Sequence, residues 1–406
     1  MTNLPEDFIR ETKQLMGQER FSRYMEAFDE EAPVSIRLNP KIYQSGSFKT
    51  SPLSQKNRPS DIPWCEEGFY LGERPQFTFD PLFHAGCYYV QEAASMFVCH
   101  VLRQFVKEPV AMLDLCAAPG GKSTAILAVL PEGSTLMSNE PIPTRAQILL
   151  ENITKWGAPN CIVTNNYPRD YRKAKAKFDL ILCDVPCSGE GMFRKDPATI
   201  GEWSLQNVEK CWHLQRDIVA DAWECLNPGG ILIYSTCTFN TKENEENVRW
   251  IIDTYDAEPL TVATDPSWHI TGSLLEGFDA PVYRFIPGIT RSEGLFVAVL
   301  QKKGDSANHT NKANSLKGIK MLSPDLPEGD YPQVGLPYAE ALKYLRGEAL
   351  VLPPNTPRGI VTVGYKGFPL GPVKNIGNRA NNLYPKPWRI KTTHLPTDPV
   401  EIICKP

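Results

Sequence analysis

Eleven cysteines occur in the 406 residues, yet none stand as Cys-x-x-Cys, and the nearest pair is Cys183 and Cys187. That lack removes the usual spacing of structural zinc, and thiols scattered through so long a chain are unlike the disulfide framework of a short secreted protein. Long apolar runs are missing too. Gly229 to Tyr234 and Gly294 to Leu300 fall far short of the ~18 to 20 residues that cross a bilayer. The opening Met1-Thr2-Asn3-Leu4-Pro5-Glu6-Asp7 has neither the basic nor the apolar region of a signal peptide. A cytoplasmic protein with no membrane association and no bound metal is expected. The dinucleotide fingerprint G-x-G-x-x-G is absent as well. Gly120-Gly121-Lys122-Ser123-Thr124 fails as a phosphate loop, because the position where that loop needs its first glycine is Cys116.

What is present is globular: 42% hydrophobic and 22% charged residues. The length exceeds one ordinary core, since domains cluster near ~100 to 200 residues. Charge is unevenly spread. From Gln301 to Pro406 there are fifteen Lys and Arg against eight Asp and Glu, a net of +7, so residues 1–300 carry −11 of the overall −4. A basic C-terminal segment on an acidic body fits contact with a polyanion, although a solvated surface is the better explanation when it is taken alone.

Periodicity divides the chain into four segments. Residues 1–87 read as a small α+β domain: an amphipathic helix to about residue 30, a strand Val34 to Leu38, a polar connection Ser45 to Asp61, then strands and turns over Trp64 to Phe79. Residues 88–303 open with a helix over Gln91 to Phe105 and then alternate. Strands are expected at 110–115, 135–139, 161–164, 178–183 and 231–234, helices at 122–130, 144–156, 205–226 and 243–255, and a late edge or hairpin strand at 294–300. Such alternation implies an α/β fold with a mainly parallel sheet covered on both faces. Residues 304–323 read as a linker and 324–406 as a compact β-rich domain.

Three chemistry-bearing motifs stand where strands should end, the place at which open α/β sheets bind ligands. Leu115-Cys116-Ala117-Ala118-Pro119-Gly120-Gly121-Lys122 is a glycine-rich turn into a helix, and Glu140 follows about 20 residues later, as a ribose-binding carboxylate does in nucleotide sites. A lone Gly-Gly is more often just a tight turn; the combination is harder to dismiss. Asp184-Val185-Pro186-Cys187-Ser188-Gly189 ends one strand and Ser235-Thr236-Cys237-Thr238 the next. One strand-end cysteine is better explained by burial. Two, with an aspartate nearby and Lys122 to lower a thiol pKa, favour nucleophilic chemistry.

These motifs resemble those of the RNA (cytosine-5) methyltransferases of the NOL1/NOP2/Sun family, whose signature is the spaced cysteine pair. Ser35-Ile36-Arg37-Leu38-Asn39-Pro40 and Tyr89-Val90-Gln91-Glu92-Ala93-Ala94-Ser95-Met96 are similar to the family's N-terminal region. Pro353-Pro354 and Tyr384-Pro385-Lys386-Pro387-Trp388 resemble the PUA-like domain of the bacterial RsmF type. The resemblance implies a Rossmann-like methyltransferase domain with a seven-stranded sheet, S-adenosyl-L-methionine as cofactor, and RNA as partner, 16S rRNA of the small subunit in particular. A monomer is expected. By the same resemblance Cys237 is the nucleophile, Cys187 assists product release, and Asp184 stabilises the reacting base and lines the donor site. Cys116, Ala117, Ala118, Pro119, Gly120, Gly121 and Lys122 wrap the donor, and Glu140 takes its ribose. Asn166 occupies the place where relatives often carry an acidic residue facing adenine. Tyr384 and Trp388 are open to two readings, base stacking or core packing. The alternatives in function are a tRNA (cytosine-5) methyltransferase and a non-catalytic RNA-binding assembly factor.

Overall fold

A computed structural model of the chain describes residues 4–40, 42, 60–304, 316–392, 394–400 and 402–403. The expected polar connection lies outside them except for Ser60 and Asp61, as do residues 305–315 of the expected linker. Among the described residues no helix is long and apolar enough to cross a membrane.

Helix α1 (Glu6–Glu26), kinked at a left-handed Gly17, buries Phe8, Met16, Phe21 and Tyr24. It is expected to pack within the small N-terminal unit. Instead these side chains cluster with Phe193, Trp203 and Phe239 of the central domain. The Phe8 ring lies 5.0 Å from Phe193, and Tyr24 lies 5.3 Å from Phe239. The helix thus buttresses the loops that carry the two strand-end cysteines. Strands β1 (Val34–Leu38), β2 (Ser60–Ile62), β3 (Cys65–Leu71) and β4 (Tyr88–Val90) form an antiparallel sheet in the order β2-β3-β1-β4. This sheet therefore continues past residue 87, with the short helix α2 (Pro81–His84) just before its last strand. The fully buried Arg37 of β1 ties it to the central domain, donating to Gln91 Oε1 at 2.9 Å and to Thr124 Oγ1 at 2.6 Å.

Past helix α3 (Phe97–Phe105), which starts later than expected, the alternation holds. It runs β5 (Ala111–Asp114), α4 (Gly121–Val129), β6 (Thr135–Asn139), α5 (Pro143–Trp156), β7 (Cys161–Thr164), α6 (Pro168–Ala174), β8 (Phe178–Asp184), α7 (Leu205–Cys225), β9 (Leu226–Thr236) and α8 (Glu245–Tyr255). Strands β10 (Glu258–Pro259), β11 (Val282–Phe285) and β12 (Leu295–Gln301) follow. Five strands, in the order β9-β8-β5-β6-β7, are parallel. Their near-continuous apolar runs, such as buried Leu180 to Cys183, are what a sheet covered on both faces requires.

Among the described residues the sheet has nine strands, a correction to the seven expected, and it is mixed. β12 pairs antiparallel with β9, β10 and β11 pair antiparallel with β12, and β13 (Met321–Leu322) pairs antiparallel with β7. The expected linker therefore ends as a strand of the central sheet. Two apolar residues, Met321 and Leu322, are too few to give a periodicity to read.

The C-terminal domain joins β14 (Gln333–Leu336), helix α9 (Tyr338–Leu345), β15 (Gly359–Tyr365), β16 (Phe368–Asn375) and β17 (Ala380–Asn382) in a four-stranded sheet with one helix. Its core is shared: Leu342, Leu345, Val361 and Val373 cluster with Ile36, Leu82 and Tyr88 of the N-terminal domain. Tyr384 is buried, 5.2 Å from the Tyr344 ring and 5.9 Å from Trp388, so this pair packs in the core.

Candidate active site

Adjacent parallel strands bring the motifs together. Asp184 on β8 sits in register with Ser235 on β9, so the loops after both strands start side by side. The Sγ atoms of Cys187 and Cys237 are 3.3 Å apart, and the Cys237 amide donates to Cys187 Sγ at 3.4 Å. Neither cysteine is fully buried. The hydrogen bond to Cys237, with burial, holds the Cys187 thiol well above the ordinary range, so Cys187 is the protonated partner.

Asp184 stands beside them. Its Oδ1 accepts from Ser235 Oγ at 2.7 Å and its Oδ2 from Lys122 Nζ at 2.7 Å. Burial works against charge on Lys122, but the Asp184 carboxylate outweighs it and raises its pKa. Lys122 and Asp184 thus form an ion pair, and the glycine turn is joined to the cysteine loops through it.

The turn itself is held from two sides. Ala117 donates to the Asn139 carbonyl at 2.8 Å, while Arg145 and Asn152 of α5 donate to the carbonyls of Ala118 and Pro119 at 2.9 and 2.7 Å. Gly120 has φ 111° and caps α4 without a side chain, which leaves backbone N–H groups of a helix N-terminus open to a ligand. Cys116 lies in this turn, its thiol pushed well above the ordinary range by burial, which disfavours the thiolate. Glu140, at the end of β6, is 1% exposed. Its Oε1 accepts from the Ile142 amide at 3.0 Å, while its Oε2 makes no hydrogen bond and has Arg145 at 3.4 Å. A buried carboxylate oxygen left open is suited to accept from a ligand hydroxyl.

Asn166, just past the carboxyl end of β7, has a structural task. Its side-chain amide is spent on the backbone of Lys320, accepting from the amide at 2.9 Å and donating to the carbonyl at 3.0 Å. It fastens β13 to the sheet, which leaves one N–H and one lone pair of its amide uncommitted by these two bonds.

Residues not foreseen complete the centre. Asp114, last in β5, is wholly buried and is pushed up to about 7 by that burial. Ser123 Oγ donates to its Oδ2 at 2.6 Å, and its Oδ1 has no partner. An acidic residue inside the apolar run Met112-Leu113-Asp114-Leu115 was the available signal. Two further buried carboxylates lock the cysteine loops. Glu190 accepts from the amides of Phe239 and Asn240 at 2.7 and 2.9 Å, from Trp203 Nε1 at 3.0 Å and from Asn240 Nδ2 at 3.0 Å. Glu243 accepts from the Ser188 amide at 3.0 Å, Gln215 Nε2 at 2.7 Å and Asn240 Nδ2 at 2.8 Å. Each ties the loop after β8 to the loop after β9. Gly191 and Gly294 permit the approach, because a Cβ on Gly191 would stand 2.6 Å from the Cys237 carbonyl oxygen.

This is the fold of a methyltransferase domain flanked by two further domains, with a paired-cysteine centre at the carboxyl ends of its parallel strands. Family models match along most of the chain: the N-terminal domain of 16S rRNA methyltransferase RsmF at residues 4–93, 16S rRNA methyltransferase RsmB/F at 103–301, and the methyltransferase RsmF PUA domain at 331–390. The chain belongs to the RsmF-like branch of this family.

Among its relatives, ribosomal RNA small subunit methyltransferase F of Pectobacterium atrosepticum is 35% identical over 316 residues, covering 74% of this chain and 63% of the relative. That of an Escherichia coli strain is 34% identical over 307 residues, covering 73% and 63%. The match thus spans somewhat less than two thirds of those relatives' length. Among solved structures, a methyltransferase homolog protein from Pyrococcus horikoshii aligns with TM-score 0.60 at 26% identity, covering 74% of this chain and all of that one. NSun6 from the same organism, crystallised with SFG, aligns with TM-score 0.61 at 22% identity, covering 75% and 100%.

Proposed function

We propose that this protein is an enzyme that methylates carbon 5 of cytosine in RNA, with 16S rRNA as substrate and S-adenosyl-L-methionine as methyl donor. The observation that carries the reading is the 3.3 Å contact between Cys187 and Cys237 beside the Lys122–Asp184 pair. Kinship to RsmF-like proteins supports the choice of rRNA.

The open Oε2 of Glu140 and the glycine turn fit an adenosyl donor. Glu140 would hold its ribose, and residues Cys116 to Lys122 would wrap the remainder. When bound, the donor supplies an electrophilic methyl group. Everything else falls to the chain's own side chains. Carbon 5 of cytosine is a weak nucleophile, so the Cys237 thiolate adds to carbon 6 and electron density builds at carbon 5. Asp184 stabilises the protonated ring nitrogen as it does so. After carbon 5 is methylated, Cys187, having released its own proton to solvent, accepts the carbon 5 proton as thiolate, and Cys237 is expelled as the 5,6 double bond reforms. The target base must be unpaired or turned out of its stack for a thiol to reach its ring face.

The test uses labelled donor with separate pools of 16S rRNA, tRNA and protein. Cys237→Ala is expected to abolish transfer. Cys187→Ala is expected to leave an RNA–protein adduct stable on a denaturing gel. An adduct accumulating in the Cys237 variant instead would reverse the roles, and labelling of tRNA alone would replace the substrate.

A further inference from the structure

A cleft where the N-terminal and C-terminal domains meet takes no part in the reaction centre. Its volume of about 550 Å³ falls in the ~300 to 1,000 Å³ range usual for small-molecule sites. Arg74, Phe77, Phe79 and Phe83 line one side, Ile390 and Lys391 the other. The walls are fixed. Phe77 and Ile390 are buried, the Tyr338 hydroxyl donates to the Phe79 carbonyl at 3.0 Å, and the Ile390 amide donates to the Leu345 carbonyl at 3.0 Å.

Two features define a ligand. Arg74 and Lys391 are exposed, and among the described residues the lining carries these two cations and no carboxylate, in a chain whose net charge is −4. Three phenylalanine rings share that lining. Planar apolar faces flanked by unopposed cations suit a base with its phosphate, and unstacked single strands are what offer both together. The cleft is also linked to the donor turn. Val90 of β4 lines it, while the neighbouring Tyr89 and Gln91 face Gly121, where a Cβ would stand 3.5 Å and 3.7 Å from them.

We infer that this cleft holds an unpaired nucleotide of the RNA, distinct from the cytosine that is methylated. The inference rests on the reading of RNA as substrate and adds where that RNA is gripped. The test measures binding of a fluorescein-labelled, unstructured single-stranded oligoribonucleotide to the full chain by anisotropy across a salt series, with the matching duplex as comparison. Arg74→Glu combined with Lys391→Glu changes only exposed side chains; Phe79→Leu removes a ring but keeps apolar volume. The charge reversal is expected to weaken single-strand binding roughly tenfold at low salt and to flatten the salt dependence. Phe79→Leu is expected to weaken binding roughly fivefold or more, raising KM for rRNA while kcat at saturating RNA and donor affinity stay at wild-type values. Wild-type affinity and salt slope in both variants would overturn the site, as would tighter binding of the duplex than of the single strand. A wild-type chain that bound no RNA would overturn the reading of the substrate itself.

Discussion

Replacing Glu190 by glutamine, an isosteric change, should be severe. All four groups around this carboxylate are donors: two backbone amides at 2.7 and 2.9 Å, the Trp203 indole, and the Asn240 side-chain amide. Asn240 cannot turn over to help, because its Oδ1 already accepts from the Glu243 amide at 2.9 Å. Whichever way a glutamine sits, its NH2 faces two N–H groups in the interior.

Hydrogen bonds to a charged acceptor contribute ~1.5 to 3 kcal/mol each, and two of the four are lost. Relief of carboxylate desolvation offsets part of this, leaving a net cost of about 3 kcal/mol, large against the ~5 to 15 kcal/mol that stabilises a typical domain. The loss falls on the contact between the two cysteine loops, and a misplacement near 1 Å can cost on the order of 100-fold in rate.

Urea denaturation should therefore register the destabilisation, and rRNA methylation from labelled donor should fall 10- to 100-fold, an order-of-magnitude figure from the same argument. Donor affinity by calorimetry should stay near wild type, since the glycine turn and Glu140 stand on other elements. A Glu190→Gln protein with wild-type stability and rate would refute the reasoning. A donor affinity that fell in step with activity would instead point to general disruption.

Three further outcomes are expected. Glu140→Gln should raise the donor Kd roughly 10- to 100-fold with the fold intact, since it weakens charge-assisted bonds to ribose hydroxyls; an unchanged Kd by calorimetry removes Glu140 from the donor site. Asp114, ordinarily near 3.8 and pushed up to about 7 by burial, gives stability that is present below the lower value and lost as pH rises through the higher. That shift is on the order of 4 kcal/mol, so Asp114→Asn should gain on wild type from about pH 4 to about pH 7 in urea titrations and level off above, and a difference independent of pH would contradict it. Glu243, raised to about 7 by burial and by Glu190, has the same sign, so Asp114→Asn should flatten the wild-type slope only in part.

The parallel core and its strand-end motifs were legible because apolar runs broke off at Pro, Gly and Cys, and runs of that kind end where the backbone leaves the sheet. β11 was not. Its Arg284 reads as an exposed residue, yet it is fully buried against Glu245 of α8, a partner 39 residues away. Glu190 and Glu243 were hidden for the same reason, since a carboxylate among Ser, Gly and Asn looks like a solvated turn until the donors around it are known. The role of Asn166 in fastening β13 was hidden as well, because its partner, Lys320, is 154 residues distant. What local pattern does not encode is the pairing of buried polar groups, whose cost is settled only by tertiary neighbours.

The two thiols are chemically alike but sit in unlike settings, and on the proposed reaction that difference orders the steps. The first cause holding the proton on Cys187 is its hydrogen bond to Cys237 sulfur, with burial second. While Cys237 is a free thiolate, Cys187 is therefore a poor base and a good hydrogen-bond donor. Bonding of Cys237 to carbon 6 turns the thiolate into a neutral thioether, a far weaker acceptor of this bond. The leading cause is then removed and the Cys187 pKa falls, so its thiol can release its proton to solvent and stand as the base beside carbon 5 after the adduct has formed. A serine at 187 keeps a donor to Cys237 but, with a far weaker acid, never becomes that base. Cys187→Ser should accordingly form the adduct at close to the wild-type rate and fail to release it, and quench-flow measurement of adduct formation separates the two effects. Formation slowed as much as release would mean that Cys187 acts before carbon 6 is attacked, and the order argued from its protonation would be wrong.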